Sequence, residues 1–213
     1  MKSAAWRFWL STFYLVSLVL VASGCAWESS GDKPDANQAD GSDGGYPPPP
    51  YGTEYGDTVE DFRIDEALCG AGTYNHRALY ASDFLGNPAT LFSVHAGWCT
   101  FCKQQAATME DSLYQPYKDQ GLKIVLVIFE DEQRNSDFQT LLEYACSYRE
   151  RYGLTFTIAI DPGAEVMGRF FRPTEAGTPL NMLLDRNMVI RYKLEGLIPD
   201  TLEGNIESLL AEH

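Results

Sequence analysis

The stretch Ala89-Thr-Leu-Phe-Ser-Val-His-Ala-Gly-Trp-Cys-Thr-Phe-Cys102 carries the information that decides the fold. Residues 89–95 form a short β-prone run bounded by Pro88 and Gly97. The segment from Thr100 to Gln120 reads as a helix with a kink at Pro116, closed by Gly121. A strand that gives way to a helix through a short turn places Cys99 and Cys102 on the first helical turn. At that spacing the two side chains share one face and lie close enough to bridge.

Working outward, Leu122–Phe129 is almost wholly apolar, the composition of a parallel strand buried on both faces. Ser136 or Asp137 caps a helix to about Tyr152, with Phe138, Leu141, Leu142, Ala145 and Tyr148 as its apolar stripe. Phe156–Ile160 reads as a strand ended by Asp161-Pro162-Gly163, and Glu165–Phe171 as a short helix. Asn181–Asp185 and Val189–Leu194 form two strands joined through Arg186-Asn187, and Thr201 caps a last helix burying Leu202, Ile206, Leu209 and Leu210. Strands alternating with helices, closed by an antiparallel pair, predict an α/β fold: a mixed central sheet flanked by helices.

The free amides and positive dipole end of a first helical turn stabilise a thiolate. Cys99, nearer the terminus, is then the attacking nucleophile, and Cys102 resolves the mixed disulfide from within the chain. A zinc site would need a second ligand pair. His76, His95 and His213 are the only histidines, and none lies at ligand spacing, so no metal and no cofactor is expected.

The run Asp83–Lys103 around this motif resembles the TlpA/ResA group of thioredoxin-like thiol–disulfide oxidoreductases. Gly177-Thr178-Pro179, before the strand 181–185, is similar to that group's cis-proline loop. The resemblance implies a thioredoxin-like fold over residues 59–213 and a cis Pro179 lying against the cysteines. It also implies main-chain hydrogen bonds from Thr178 to a substrate segment. The strand and helix between residues 156 and 171 match the insertion that sets the group apart from plain thioredoxin. Thioredoxin has a buried Asp six residues before its first cysteine, whereas this chain has Ser93, which cannot accept the resolving thiol's proton. His95, two residues on and on the same face of the strand, reads in two ways. It is a substitute proton acceptor, or a hydrogen-bonded core histidine without a catalytic part.

Trp98 and Phe101 flank the nucleophile, either as an apolar platform for substrate or as packing for the loop. Glu130 and Asp131 read as a solvated strand end. Cys69 and Cys146 read as a structural disulfide, as buried free thiols, or as an extra redox pair.

The N-terminus reads as an address. Lys2 and Arg7 precede an apolar run from Phe8 to Ala22 that is short for a membrane span. Val21-Ala-Ser-Gly-Cys25 resembles a bacterial lipobox, which implies a lipoprotein signal peptide over 1–24, acylation of Cys25 and a domain outside the cytoplasmic membrane. An ordinary signal peptide with Cys25 left free is the alternative. Residues 25–58, rich in Gly, Ser, Asp and Pro, are expected to be a disordered tether. Removing residues 1–24 takes away Lys2 and Arg7 and no acidic residue, leaving 14 basic against 30 acidic side chains. Such a chain is a poor partner for nucleic acid, whose affinity rests on neutralising phosphates.

The expected partners are exported protein or thiol substrates, an upstream redox partner, and the membrane through Cys25. Two other functions compete: a peroxiredoxin-like peroxidase and a copper-handling lipoprotein. The peroxidase normally has Thr three residues before its reactive cysteine, where this chain has Ala96. The copper-handling type usually pairs its cysteines with a distant His, and only His213 follows Cys102.

Overall fold

The computed structural model describes residues 45–70, 72–174, 177–199 and 201–212, all within one compact unit, residues 36–213. The expected signal segment, Cys25 and residues 25–44 of the expected tether lie outside the described residues, as does His213. Among the described residues, no helix is long and apolar enough to cross a membrane.

A single seven-stranded sheet organises the domain, in the order β2-β1-β5-β4-β3-β6-β7. Its strands are β1 (Arg63–Gly70), β2 (Thr73–Tyr80), β3 (Ala89–His95), β4 (Leu122–Ile128), β5 (Thr157–Ile160), β6 (Leu180–Asp185) and β7 (Ile190–Glu195). β3, β4 and β5 run parallel, and β1/β2, β1/β5, β3/β6 and β6/β7 are antiparallel. The sheet is mixed and β4 is its centre, as its apolar run requires. Five consecutive aliphatic side chains, Ile124 to Ile128, are buried there; together they contribute on the order of 10 kcal/mol of burial.

Alternation along the strands divides the core in two. Leu91, Ile124, Leu126, Ile128 and Leu183 face a layer that includes Ala106, Met109, Leu141, Leu142, Ala145, Tyr148, Leu202 and Ile206. Those residues lie on α1 (Thr100–Met109), α3 (Phe138–Tyr152) and α4 (Thr201–Ala211). Phe92, Val94, Val125, Val127, Leu180, Met182 and Leu184 face the opposite side, against Val59, Phe62, Phe84, Met167 and Phe170. Ser93 and His95 share the helix-side parity of Leu91, and Asn181 that of Leu183. They are polar residues set into an apolar face beneath α1.

The helix after the cysteines does not run as one regular α-helix to Gln120. A π segment, Glu110–Tyr114, precedes α2 (Gln115–Tyr117), and a 3-10 turn, Lys118–Gln120, ends at Gly121 with φ 110°. Pro116 has no N–H for the carbonyl four residues back, and the widened turn absorbs the mismatch. Asp137 caps α3 by accepting the Thr140 N–H at 3.0 Å. The segment expected as one helix over 165–171 consists instead of 3-10 turns at Pro162–Ala164 and Met167–Phe170. The Asp161 carboxylate, accepting the amides of Val166 and Met167, organises them.

Two further elements had not been expected. The hairpin β1–β2 extends the sheet beyond β5, and residues 45–58 pack onto the domain although their composition predicts a tether through residue 58. Tyr46 donates to the Val59 carbonyl at 2.9 Å and packs against the core. Thr58 bridges Val189, Gly56 N–H donates to Ile190 O, and Lys193 donates to Thr53 O. Average composition hid this, because the exposed edge of β7 offers main-chain partners to a segment with only a few anchoring side chains.

Candidate active site

β3 ends at the buried His95, and the chain turns through Ala96-Gly97 into α1. A Cβ on Gly97 would come within 2.5 Å of the Asp131 carbonyl carbon and 2.6 Å of Tyr144 Oη, so only glycine fits. Its N–H donates to Glu130 O at 2.8 Å, fastening the turn to the end of β4.

Cys99 is the N-cap of α1. Its sulfur accepts the Cys102 N–H at 3.0 Å, where an anionic sulfur would meet the same amide and the positive end of the helix. Cys99 and Cys102 are bridged, with Cα atoms 5.2 Å apart. Cys99 keeps 5 % of its surface and Cys102 none, which leaves Cys99 as the sulfur open to attack.

Thr178 and Pro179 come from a different part of the chain. The Thr178–Pro179 peptide is cis, and the Thr178 carbonyl oxygen lies 3.4 Å from Cys99 Sγ. Glu195 on β7, its side chain almost fully buried, accepts the Arg172 N–H at 2.6 Å and also the Gly177 N–H. Gly196 N–H donates to Pro179 O at 2.7 Å. The loop is therefore held from β7 on both sides of Thr178.

Phe101 is 56 % exposed beside the disulfide. Trp98 is pinned: its indole N–H donates to Glu130 Oε2 at 2.6 Å and the Arg134 guanidinium lies 3.9 Å from its ring centroid. Phe129 meets it edge-on. Glu130 thus orients an active-site aromatic instead of ending a strand in solvent. Asp131 is buried, accepting the amides of Gln133 and Asn135 at 2.8 Å. A run of charges after a strand looks solvated in sequence, but here it turns the chain back towards the cysteines.

Beneath the disulfide lies a closed polar cluster. Ser93 Oγ donates to Asn181 Oδ1 at 2.7 Å and stands 2.9 Å from His95 Nε2. Gln105 Nε2 is 2.8 Å from Ser93 Oγ, 2.8 Å from Asn181 Oδ1 and 3.1 Å from His95 Nε2. His95 Nδ1 lies 3.2 Å from Tyr148 Oη, which donates to the Cys102 carbonyl at 3.2 Å. Both Tyr148 contacts are satisfied when His95 carries its proton on Nδ1. Burial pushes the His95 pKa down to about 3 and the Tyr148 pKa upward, so the cluster is neutral.

That geometry favours the structural reading of His95. Its link to Cys102 runs through Tyr148 to a main-chain carbonyl, and so weakly basic an imidazole would take a thiol proton only at a cost of several kcal/mol. Sequence reasoning missed Gln105, Asn181 and Tyr148. Asn181 alone left a signal, as a single amide in the apolar strand 180–184. In the sequence Tyr148 reads only as part of a core stripe, which it also is.

Cys69 on β1 and Cys146 on α3 are joined, S–S 2.06 Å, across 77 residues. Among the described residues no group of three or more His, Cys, Asp or Glu side chains could hold a metal ion.

A bridged Cys-x-x-Cys at a helix N-terminus, faced by a cis-proline loop on a mixed sheet, defines a thioredoxin-type thiol–disulfide oxidoreductase. Residues 55–193 match the model of the AhpC/TSA family, and the chain belongs to that family. It is 27% identical over 155 residues to the thiol-disulfide oxidoreductase ResA of Geobacillus kaustophilus, covering 72% of this chain and 77% of that protein. It is 26% identical over 120 residues to chloroplastic peroxiredoxin Q of Oryza sativa subsp. japonica, covering 54% and 50%. Among solved structures, a Chlorobium tepidum protein assigned as a thiol:disulfide interchange protein of the DsbE type superposes with TM-score 0.58 at 22% identity. That match covers 75% of this chain and 99% of the other. A secreted thiol-disulfide isomerase of Corynebacterium glutamicum superposes with TM-score 0.55 at 14% identity, covering 74% and 86%.

Proposed function

We propose that this chain is an exported thiol–disulfide oxidoreductase, held at a membrane through a lipid on Cys25, that exchanges disulfides with protein or small-thiol substrates. The observation that carries the chemistry is the asymmetry of the bridged pair. Cys99 caps the helix N-terminus and keeps a little exposed surface, and Cys102 is wholly buried behind it.

In the oxidised form a substrate thiolate attacks Cys99 Sγ, the Cys99–Cys102 bond breaks, and Cys102 leaves as a thiolate. A second substrate thiolate then attacks the substrate sulfur of the mixed disulfide and expels Cys99. Two electrons pass to the cysteine pair and the substrate leaves as a disulfide. The reverse sequence reduces a substrate disulfide. A substrate segment would lie extended along Thr178, hydrogen-bonding its main chain, with Phe101 and Trp98 as an apolar platform. Export is supported by the leader-like residues 1–24. The lipid anchor is supported by the small residues before Cys25, and residues 25–44 would act as the tether.

An insulin-reduction assay with a dithiol donor tests the activity. Wild-type protein should precipitate the insulin B chain, and Cys99→Ser should not. The match to peroxiredoxin Q and to the AhpC/TSA family favours a second reading, a thiol peroxidase. Consumption of hydrogen peroxide, with no insulin reduction, would select it.

A further inference from the structure

Gln105 occupies a position that neither the resemblance nor the cysteine motif explains. It lies three residues beyond Cys102, so its side chain emerges from the same face of α1 one turn deeper. Its amide joins four segments. Nε2 reaches Ser93 and His95 on β3 and Asn181 on β6, while Oε1 accepts the Asn181 amide and the Ile198 N–H, both at 3.1 Å. Asn181 continues the link through its Nδ2, which donates to Gly196 O at 2.9 Å. Gly196 in turn holds Pro179 O.

All of these groups are buried or nearly so, and Gln105 Nε2 and Ser93 Oγ supply three protons among Ser93 Oγ, Asn181 Oδ1 and His95 Nε2. A buried amide cluster this well satisfied is rigid, because breaking any member strands a desolvated partner. Two paths run from it to the reacting atoms. One passes through His95 and Tyr148 to the Cys102 carbonyl, and the other through Asn181 and Gly196 to Pro179 beside Cys99.

We propose that Gln105 is a positioning residue for the resolving step: it locks the first turn of α1 to the Pro179 strand so that Cys102 Sγ stays aligned on Cys99 Sγ. This rests on the exchange reading of Cys99 and Cys102. During reduction of a substrate disulfide, the Cys99 thiolate forms the mixed disulfide and expels the first substrate thiolate. The Cys102 thiolate, its proton given to solvent, then attacks Cys99 Sγ and expels the second. Attack by Cys99 depends on its exposure and on the amides at the helix terminus. Resolution also requires the helix to hold Cys102 within reach, and that second step is the one Gln105 governs.

A single-turnover experiment separates the steps. Reduced full-length protein is mixed with a chromogenic aromatic disulfide, which releases one coloured thiolate as Cys99 attacks and a second as Cys102 resolves. With Gln105→Met the first phase should keep its wild-type rate and the second should slow by about tenfold, the equivalent of one or two lost hydrogen bonds. Asn181→Ala should reproduce this from the strand side, and it serves alone if Gln105→Met does not fold. Gln105→Glu supplies the conservative test. Protonated, the acid keeps one donor and one acceptor and should resolve near the wild-type rate. Ionised, it offers only acceptors to Asn181 Oδ1 and Ser93 Oγ, so the ratio of its second-phase rate to wild type should fall as pH rises. Equal changes in both phases, or none in either, would overturn the positioning role. Wild-type protein that releases neither thiolate would instead overturn the exchange reading itself.

Discussion

The residue that most constrains the chemistry is His95, because burial without charge decides what it does. With its pKa pushed to about 3, it is neutral across the working range. Its charge change therefore falls well below the pH at which thiolates form, and the exchange rate should show no histidine inflection between about pH 5 and 8. Measured pH profiles of wild type and His95→Gln should have the same shape there. Stability should behave otherwise. A histidine whose folded pKa lies below its unfolded value near 6.5 binds its proton mainly when unfolded, so its stabilising contribution is complete above that pH. It is lost as pH falls towards 3, by up to about 1.4 kcal/mol per unit. Urea unfolding of wild type at pH 7 and pH 5 should show that loss beyond whatever His95→Gln shows. Equal pH dependence in the two proteins would place the imidazole in contact with water.

At the scale of elements, the site is a meeting of three chain ends: β3 with the turn into α1, the end of β4 with its Glu130–Asn135 loop, and the loop before β6. The first was legible in the sequence, since a strand, a glycine turn and paired cysteines have strong local signals. The third was legible only through the Thr178-Pro179 resemblance. What holds it there, Glu195, carried no signal, because one charged residue at the end of a strand looks like any solvated carboxylate. The β6–β7 pair itself was legible, but the approach of Arg172 and Gly177 to the end of β7 is a long-range meeting that no local pattern specifies. Glu195→Gln places an amide N–H2 against one of the two main-chain donors, Arg172 N or Gly177 N. Amide hydrogen exchange across residues 172–180 should then quicken by about tenfold, the loss of one charge-assisted bond, while exchange in α3 stays unchanged. Protection equal to wild type in that segment would show that Gly196 alone holds the loop. The β1–β2 hairpin escaped notice for the opposite reason. It lies at the sheet edge, exposed along much of β2, and lacks the apolar run that announced β4.

Across the described residues, the fold gathers its chemistry on one side of a sheet whose other face is mostly apolar. Cys69–Cys146 closes a covalent loop across 77 residues, tying the edge hairpin to the helix that carries Tyr148. Replacing both cysteines by alanine should lower unfolding free energy by about 2–4 kcal/mol yet leave insulin reduction measurable, since neither sulfur belongs to the exchanging pair. An equal loss of activity would make the bridge a participant in turnover. The central claim, that Cys99 is attacked and Cys102 resolves, has one direct measurement. Cys102→Ser protein is mixed with a substrate protein carrying a disulfide, quenched in acid and analysed by mass spectrometry. The account predicts a stable mixed disulfide between the substrate and Cys99, absent from Cys99→Ser. Substrate attached elsewhere in Cys102→Ser protein, or no adduct at all, would contradict it.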